Sequence, residues 1–302
     1  MFKYKLRILT VVFVLMPLFL SAQNEKEVFL KLVNLTVLES DNPQAKDFEN
    51  AINAVDKLIK KDKKNVDNYF YKAIIYQIWG LTDTTKFTNA IKFYSIVLQK
   101  DHSYLNAYYN RGYCYFHLRD YKKFQMDYDA IALNFETGHS YYMKYAPMLF
   151  EIRDFNKVIQ VINYDLDLTS LNNKEKSEVL SIRGICYLIK RDYEKTAKDF
   201  QDAYNLLPNA SNTMNFALIK YYLGDYKESE ELYIKALTQE GFDEMQDYIY
   251  NNLANLYHKL GNNDDACKYC QLAIDTGYVY NPFWKNDYDI EDPNVLINLY
   301  CK

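Results

Sequence analysis

Two stretches decide how this chain is read. They are Tyr108-Tyr-Asn-Arg-Gly-Tyr-Cys-Tyr115, followed by Arg119-Asp-Tyr121, and Leu180-Ser-Ile-Arg-Gly-Ile-Cys-Tyr187, followed by Arg191-Asp-Tyr193. Gly224-Asp-Tyr226 and Gly261-Asn-Asn263 each close a further helix-length run. From Gly184, Tyr193, Phe200 and Ala203, a step of 33 residues lands on Ala217, Tyr226, Tyr233 and Ala236. Small and aromatic slots that recur together at one period of this length mark stacked copies of a single supersecondary unit.

The composition agrees. Only 8 Gly and 6 Pro in 302 residues leave room for many helices and little for a turn-rich β-sandwich. The 31 Tyr and 17 Phe require a large core or an interface that uses aromatic rings. A formal charge of −4 argues against a general affinity for nucleic-acid backbones.

The repeat resembles the tetratricopeptide repeat, a helix–turn–helix unit. Its pattern places large residues at slots 4 and 7, Gly or Ala at 8 and an aromatic at 11. Gly-Asp-Tyr follows around 15–17, then Ala at 20, an aromatic at 24, Ala at 27 and Pro at 32. The unit from 177 carries Leu180, Gly184, Tyr187, Tyr193, Phe200, Ala203 and Pro208, and that from 247 carries Tyr250, Leu253, Ala254, Tyr257, Gly261, Ala266 and Ala273. The unit from 105 has Phe124 at an Ala slot, and the unit from 66 has about five extra residues in its inner turn. The unit from 139 is degenerate, with Pro147 inside its first helix and Val158 at the Ala slot. The resemblance therefore implies an all-α, right-handed α-solenoid over residues 23–277. It would hold about seven units, starting near 28, 66, 105, 139, 177, 210 and 247, with residues 278–302 as a C-terminal cap. Small residues at slots 8, 20 and 27 let helices approach, while large ones at 4, 7, 11 and 24 fill the gaps beside them. Gly80, Gly224 and Gly261 are expected at inner turns, where backbone freedom is needed.

At the N-terminus, Lys3, Lys5 and Arg7 precede the uncharged run Ile8–Leu20, and Ser21-Ala22 offers small residues for cleavage. Thirteen residues at about 1.5 Å each fall short of a ~30 Å hydrocarbon core, so residues 1–22 read as a signal peptide rather than a span. Export to the periplasm or extracellular space is expected, with no stable membrane insertion after cleavage. The five cysteines, Cys114, Cys186, Cys267, Cys270 and Cys301, are too few and too scattered for a disulfide framework. Cys267-Lys-Tyr-Cys270 lacks the βαβ context of a redox motif and reads as two small helix positions. A disulfide from one of them to Cys301 is left open.

In the family that the repeat resembles, first-helix slots 2, 5, 9, 12 and 13 face a concave surface. The resemblance thus implies a groove of Phe70, Ile74, Ile78, Tyr109, Tyr113, Phe116, His117, Met143 and Phe150, then Ile185, Leu188, Ile189, Met214, Leu218, Tyr221 and Tyr222. It ends at Tyr248, Asn251, Asn255 and His258. Such a lining is apolar and aromatic, suited to peptides or amphipathic helices, with self-packing as the alternative. Asn251 and Asn255, one turn apart, are the best pair for holding a peptide backbone. The cations that would clamp a C-terminal carboxylate are missing from these slots. The four histidines, His102, His117, His139 and His258, show no metal-ligand spacing, and no phosphate-binding or nucleophile motif occurs. Asp287–Asp292 lacks the spacing and central Gly of an EF-hand loop. The expectation is a non-enzymatic binder of a protein or peptide, without cofactor or metal. The alternative is a homo-oligomer or a subunit of an envelope or secretion assembly.

Overall fold

A computed structural model describes residues 44–134, 139–168, 171–279 and 290–301. The signal-like segment and the first helix of the unit expected from residue 28 lie outside these. Among the described residues there are fourteen α-helices and no strand.

The chain divides into two compact units at residues 137 and 138. In the N-terminal unit, α1 (Ala45–Lys61) is followed by the hairpins α2 (Val66–Gly80) with α3 (Lys86–Lys100), and α4 (Leu105–His117) with α5 (Tyr121–Asn134). The C-terminal unit has four hairpins: α6 (His139–Glu151) with α7 (Phe155–Leu168), α8 (Asn173–Ile189) with α9 (Tyr193–Leu206), α10 (Ala210–Tyr222) with α11 (Tyr226–Ala236), and α12 (Gln246–Lys259) with α13 (Asn263–Asp275). A last helix, α14 (Pro293–Tyr300), packs against α13. Each unit is a stack of helical hairpins, the α-solenoid arrangement. The helix α6 runs on through Pro147.

The inner turn of each hairpin follows one plan. Arg119, Arg153, Arg191, Gly224 and Gly261 stand at the same slot in five consecutive repeats, and all are left-handed, with φ of 60°, 62°, 60°, 81° and 75°. The next residue, Asp120, Asp154, Asp192, Asp225 or Asn262, accepts a hydrogen bond from the backbone N–H three residues on, at 3.1–3.4 Å. The left-handed residue stops one helix, and the Asp or Asn caps the next. Gly80 departs from this plan: it ends α2 without a positive φ and is needed for space. A Cβ there would lie 2.6 Å from the Phe87 ring.

Close approach at slot 8 sets the hairpin spacing. A Cβ on Gly112 would meet the Tyr128 ring at 2.8 Å, and one on Gly184 would meet Phe200 at 2.5 Å. Slots 7 and 23 face each other beside this contact. Arg111 pairs with Asp127 at 2.6 Å and also reaches Ser95 of the preceding repeat. Arg183 pairs with Asp199 at 2.7 Å and reaches Asn163. In later repeats the same slots hold Phe216 with Leu232, and Leu253 with Tyr269, all in one buried cluster.

Candidate functional site

The C-terminal unit contains a cavity of about 340 Å³, lined by Ile185 and Leu188 of α8, by Ser211, Met214, Asn215 and Leu218 of α10, and by Tyr248 and Asn252 of α12. Met245, before α12, and Ile290, before α14, complete it. Three consecutive first helices thus contribute one face each, which is why residues about 30 to 37 positions apart meet here. The aliphatic side chains form the floor. Asn215 and Asn252 are each only 8% exposed, yet neither carboxamide hydrogen-bonds to a protein group among the described residues. Each therefore faces the cavity with a donor and an acceptor unspent, an arrangement suited to a backbone amide of a bound chain.

The amide pair expected from sequence has another task. The Asn255 side-chain NH₂ donates to the Glu291 carbonyl at 3.2 Å, and the Glu291 N–H donates to Asn255 Oδ1 at 2.8 Å. Asn251 donates to the Tyr278 hydroxyl at 3.0 Å. Both amides hold the C-terminal segment of the chain itself. Ile290, next to the clamped Glu291, is buried and walls the cavity. Asp292 caps α14, Leu296 packs into the core cluster, and Cys301 forms a disulfide with Cys267, with Cα atoms 5.6 Å apart. The expectation that Cys267 is a plain apolar helix position is thereby corrected. Cys270 does fill such a position, buried and unbonded, and burial pushes its thiol up to about 12.

A tetratricopeptide-repeat family model matches residues 248–277, which is hairpin α12–α13. Hairpin α12–α13 is a tetratricopeptide repeat, and the stack it belongs to has the fold of such proteins. Human tetratricopeptide repeat protein 6 is 24% identical over 212 residues, a match that takes in 69% of this chain and 38% of that protein. The chain thus spans well under half the length of that relative. A tetratricopeptide repeat protein from Parabacteroides merdae superposes with a TM-score of 0.53 at 15% identity, covering 91% of this chain and 100% of its own. The C-terminal part of a repeat protein from Cytophaga hutchinsonii gives 0.57 at 16%, covering 77% and 95%. Both likenesses concern the fold.

Placed on these tetratricopeptide repeats, the expected groove residues separate. Ile185, Leu188, Met214, Leu218 and Tyr248 meet in the cavity. Phe70 does not line a groove: it is 0% exposed, packed against Tyr94 and Tyr104. Tyr109 and Phe116 are likewise buried, against Tyr128 and Phe124. His117 is exposed and stacks on Phe87, with Tyr113 at 4.4 Å. Tyr222 stacks on Tyr193, Tyr221 meets Tyr222 edge-on, and His258 lies against Tyr300. Sequence reading missed Ser211, Asn215, Met245, Asn252 and Ile290. One signal was available: Asn110, Asn215 and Asn252 all stand at slot 6 of their repeats. Among the described residues no cluster of His, Cys, Asp and Glu could hold a metal ion, and no helix is long and apolar enough to cross a membrane.

Proposed function

We propose that this protein is a non-enzymatic scaffold, acting outside the cytoplasm, that holds an extended segment of a partner protein in the cavity between α8, α10 and α12. The unspent carboxamides of Asn215 and Asn252, which open into the cavity, carry this reading, because each offers a donor and an acceptor to a bound backbone. The aliphatic floor beside them favours an apolar side chain on the bound segment. The N-terminal run of three cations and thirteen uncharged residues supports export, and a disulfide is at home in an oxidising compartment.

The test is affinity capture from the native envelope fraction with the wild-type chain and with the Asn215→Ala, Asn252→Ala double variant. Proteins held by the wild type and lost by a double variant of unchanged helical content support the site. Equal capture by both sinks it. A second reading, self-association, is favoured by Val295, Leu299 and Tyr300, which leave α14 apolar on its exposed side. Under it the wild type sediments as an oligomer and Leu299→Glu as a monomer.

A further inference from the structure

The C-terminal segment is ordinarily read as a cap over the last hairpin, but its position beside the cavity indicates more. We propose that its described part, from Ile290 onward, is a fixed wall of the binding site, and that Asn255 and the Cys267–Cys301 disulfide are positioning groups that set the site's affinity. The inference rests on the cavity being the site at which a partner segment is held.

Three observations carry it. Ile290, 3% exposed, is the cavity-lining residue that no repeat supplies. Its neighbour Glu291 is fixed at both its N–H and its carbonyl by one side chain, Asn255. The chain then runs through α14 to a covalent bond with α13 at a sequence separation of 34. Ile290 is thus anchored within one residue on its C-terminal side, and again eleven residues further on. The described part of the segment spends its hydrogen bonds on Asn251 and Asn255 and leaves Asn215 and Asn252 unspent, while Ile290 lines the cavity beside them. The docked pair Ile290–Glu291 further shows what this face accepts: an aliphatic side chain on a non-helical backbone held by a carboxamide. A partner segment of the same chemistry, an extended stretch with an aliphatic residue, would lie alongside it.

The disulfide makes the wall conditional on redox state. A dithiol reductant transfers two electrons and two protons, giving the Cys267 and Cys301 thiols and its own disulfide. The segment is then held only by noncovalent contacts, and any fraction of molecules with Ile290 withdrawn lacks the wall. Apparent affinity falls in proportion to the docked fraction.

The experiment uses the full oxidised chain with labelled Ile and Met methyl groups, titrated with the blocked tripeptide acetyl-Ala-Leu-Ala-amide and followed by NMR. Saturable shifts at Met214, Ile185 and Ile290 are expected. Cys301→Ser is expected to weaken binding about ten-fold, the change that follows if the docked fraction drops to roughly a tenth. Ile290→Ala keeps the disulfide intact, guards against a folding defect, and is expected to weaken binding by a similar factor. Equal or tighter binding by both variants overturns the wall while leaving the cavity as the site. An absence of saturable shifts in the oxidised wild type overturns the site, and the wall with it.

Discussion

At the scale of single residues, two slots that both favour glycine do so for different reasons. A Cβ added at Gly184 would lie 2.5 Å from the Phe200 ring, so any side chain there must push a buried aromatic aside. Gly184→Ala is expected to cost about 1–3 kcal/mol, read as a lower urea midpoint with unchanged slope. The inner turn runs the other way. Arg119 sits at φ 60°, where an L side chain costs roughly 1–2 kcal/mol, and among the described residues its exposed side chain makes no hydrogen bond, ion pair or ring contact to offset that. Arg153 and Arg191 at least lie against Phe155 and Tyr193. Arg119→Gly, copying Gly224 and Gly261, is therefore expected to stabilise by about 0.5–1 kcal/mol after glycine's own entropy cost, raising the melting temperature by about 2 °C. Both slots were visible in the sequence as a period. Their causes were not, because Gly80, Gly184 and Gly224 look alike in one dimension. The first two are small to make room, and the third is achiral to allow a turn.

At the scale of helices, the repeat solves one packing problem twice. Where α8 meets α9, slots 7 and 23 hold Arg183 and Asp199, a bidentate pair with the carboxylate buried. Where α10 meets α11, the same place is filled by Phe216 and Leu232. Removing one partner of a buried ion pair strands the other, whereas replacing both by apolar groups can be close to neutral. Asp199→Ala is thus expected to cost about 3 kcal/mol in denaturant unfolding. The double change Arg183→Phe with Asp199→Leu should recover most of that; a double variant as unstable as Asp199→Ala would refute the equivalence of the slots. Helix pairing of this kind was legible, since it depends on residues 16 apart within one repeat. The binding face was legible only in part. Slots 5, 9 and 12 hold Met214, Leu218, Ile185 and Leu188, which all line the cavity, but the choice between Asn251 and Asn252 turns on about 100° around α12, and no period resolves it. The first is spent on the chain's own tail, while the second faces the cavity.

At the scale of the whole chain, the part that sequence could not supply is the part without a repeat. Residues 278–302 have no sister segment to align with, and the partners that fix them, Asn251, Asn255 and Cys267, lie 27 to 36 residues away. A stack of repeats exposes apolar surface at its end unless something covers it. Here α14 does so, with Leu296 buried in the cluster that also contains Leu253 and Cys270. Closing a 34-residue loop removes denatured-state entropy worth about 4 kcal/mol in the chain-entropy account, so the disulfide is expected to stabilise the C-terminal unit by that order. The remaining thiols allow the test to be read cleanly. Cys114, Cys186 and Cys270 are buried, and burial pushes Cys186 and Cys270 up to about 12, so the native chain should show no rapidly reacting thiol at pH 8. Unfolding without reductant should then expose three thiols, and five after reduction. If the native reduced chain yields two fast thiols and melts earlier than the oxidised one, the disulfide is formed, accessible and stabilising. If it yields none while its melting point is unchanged, the end of the stack is held by packing alone.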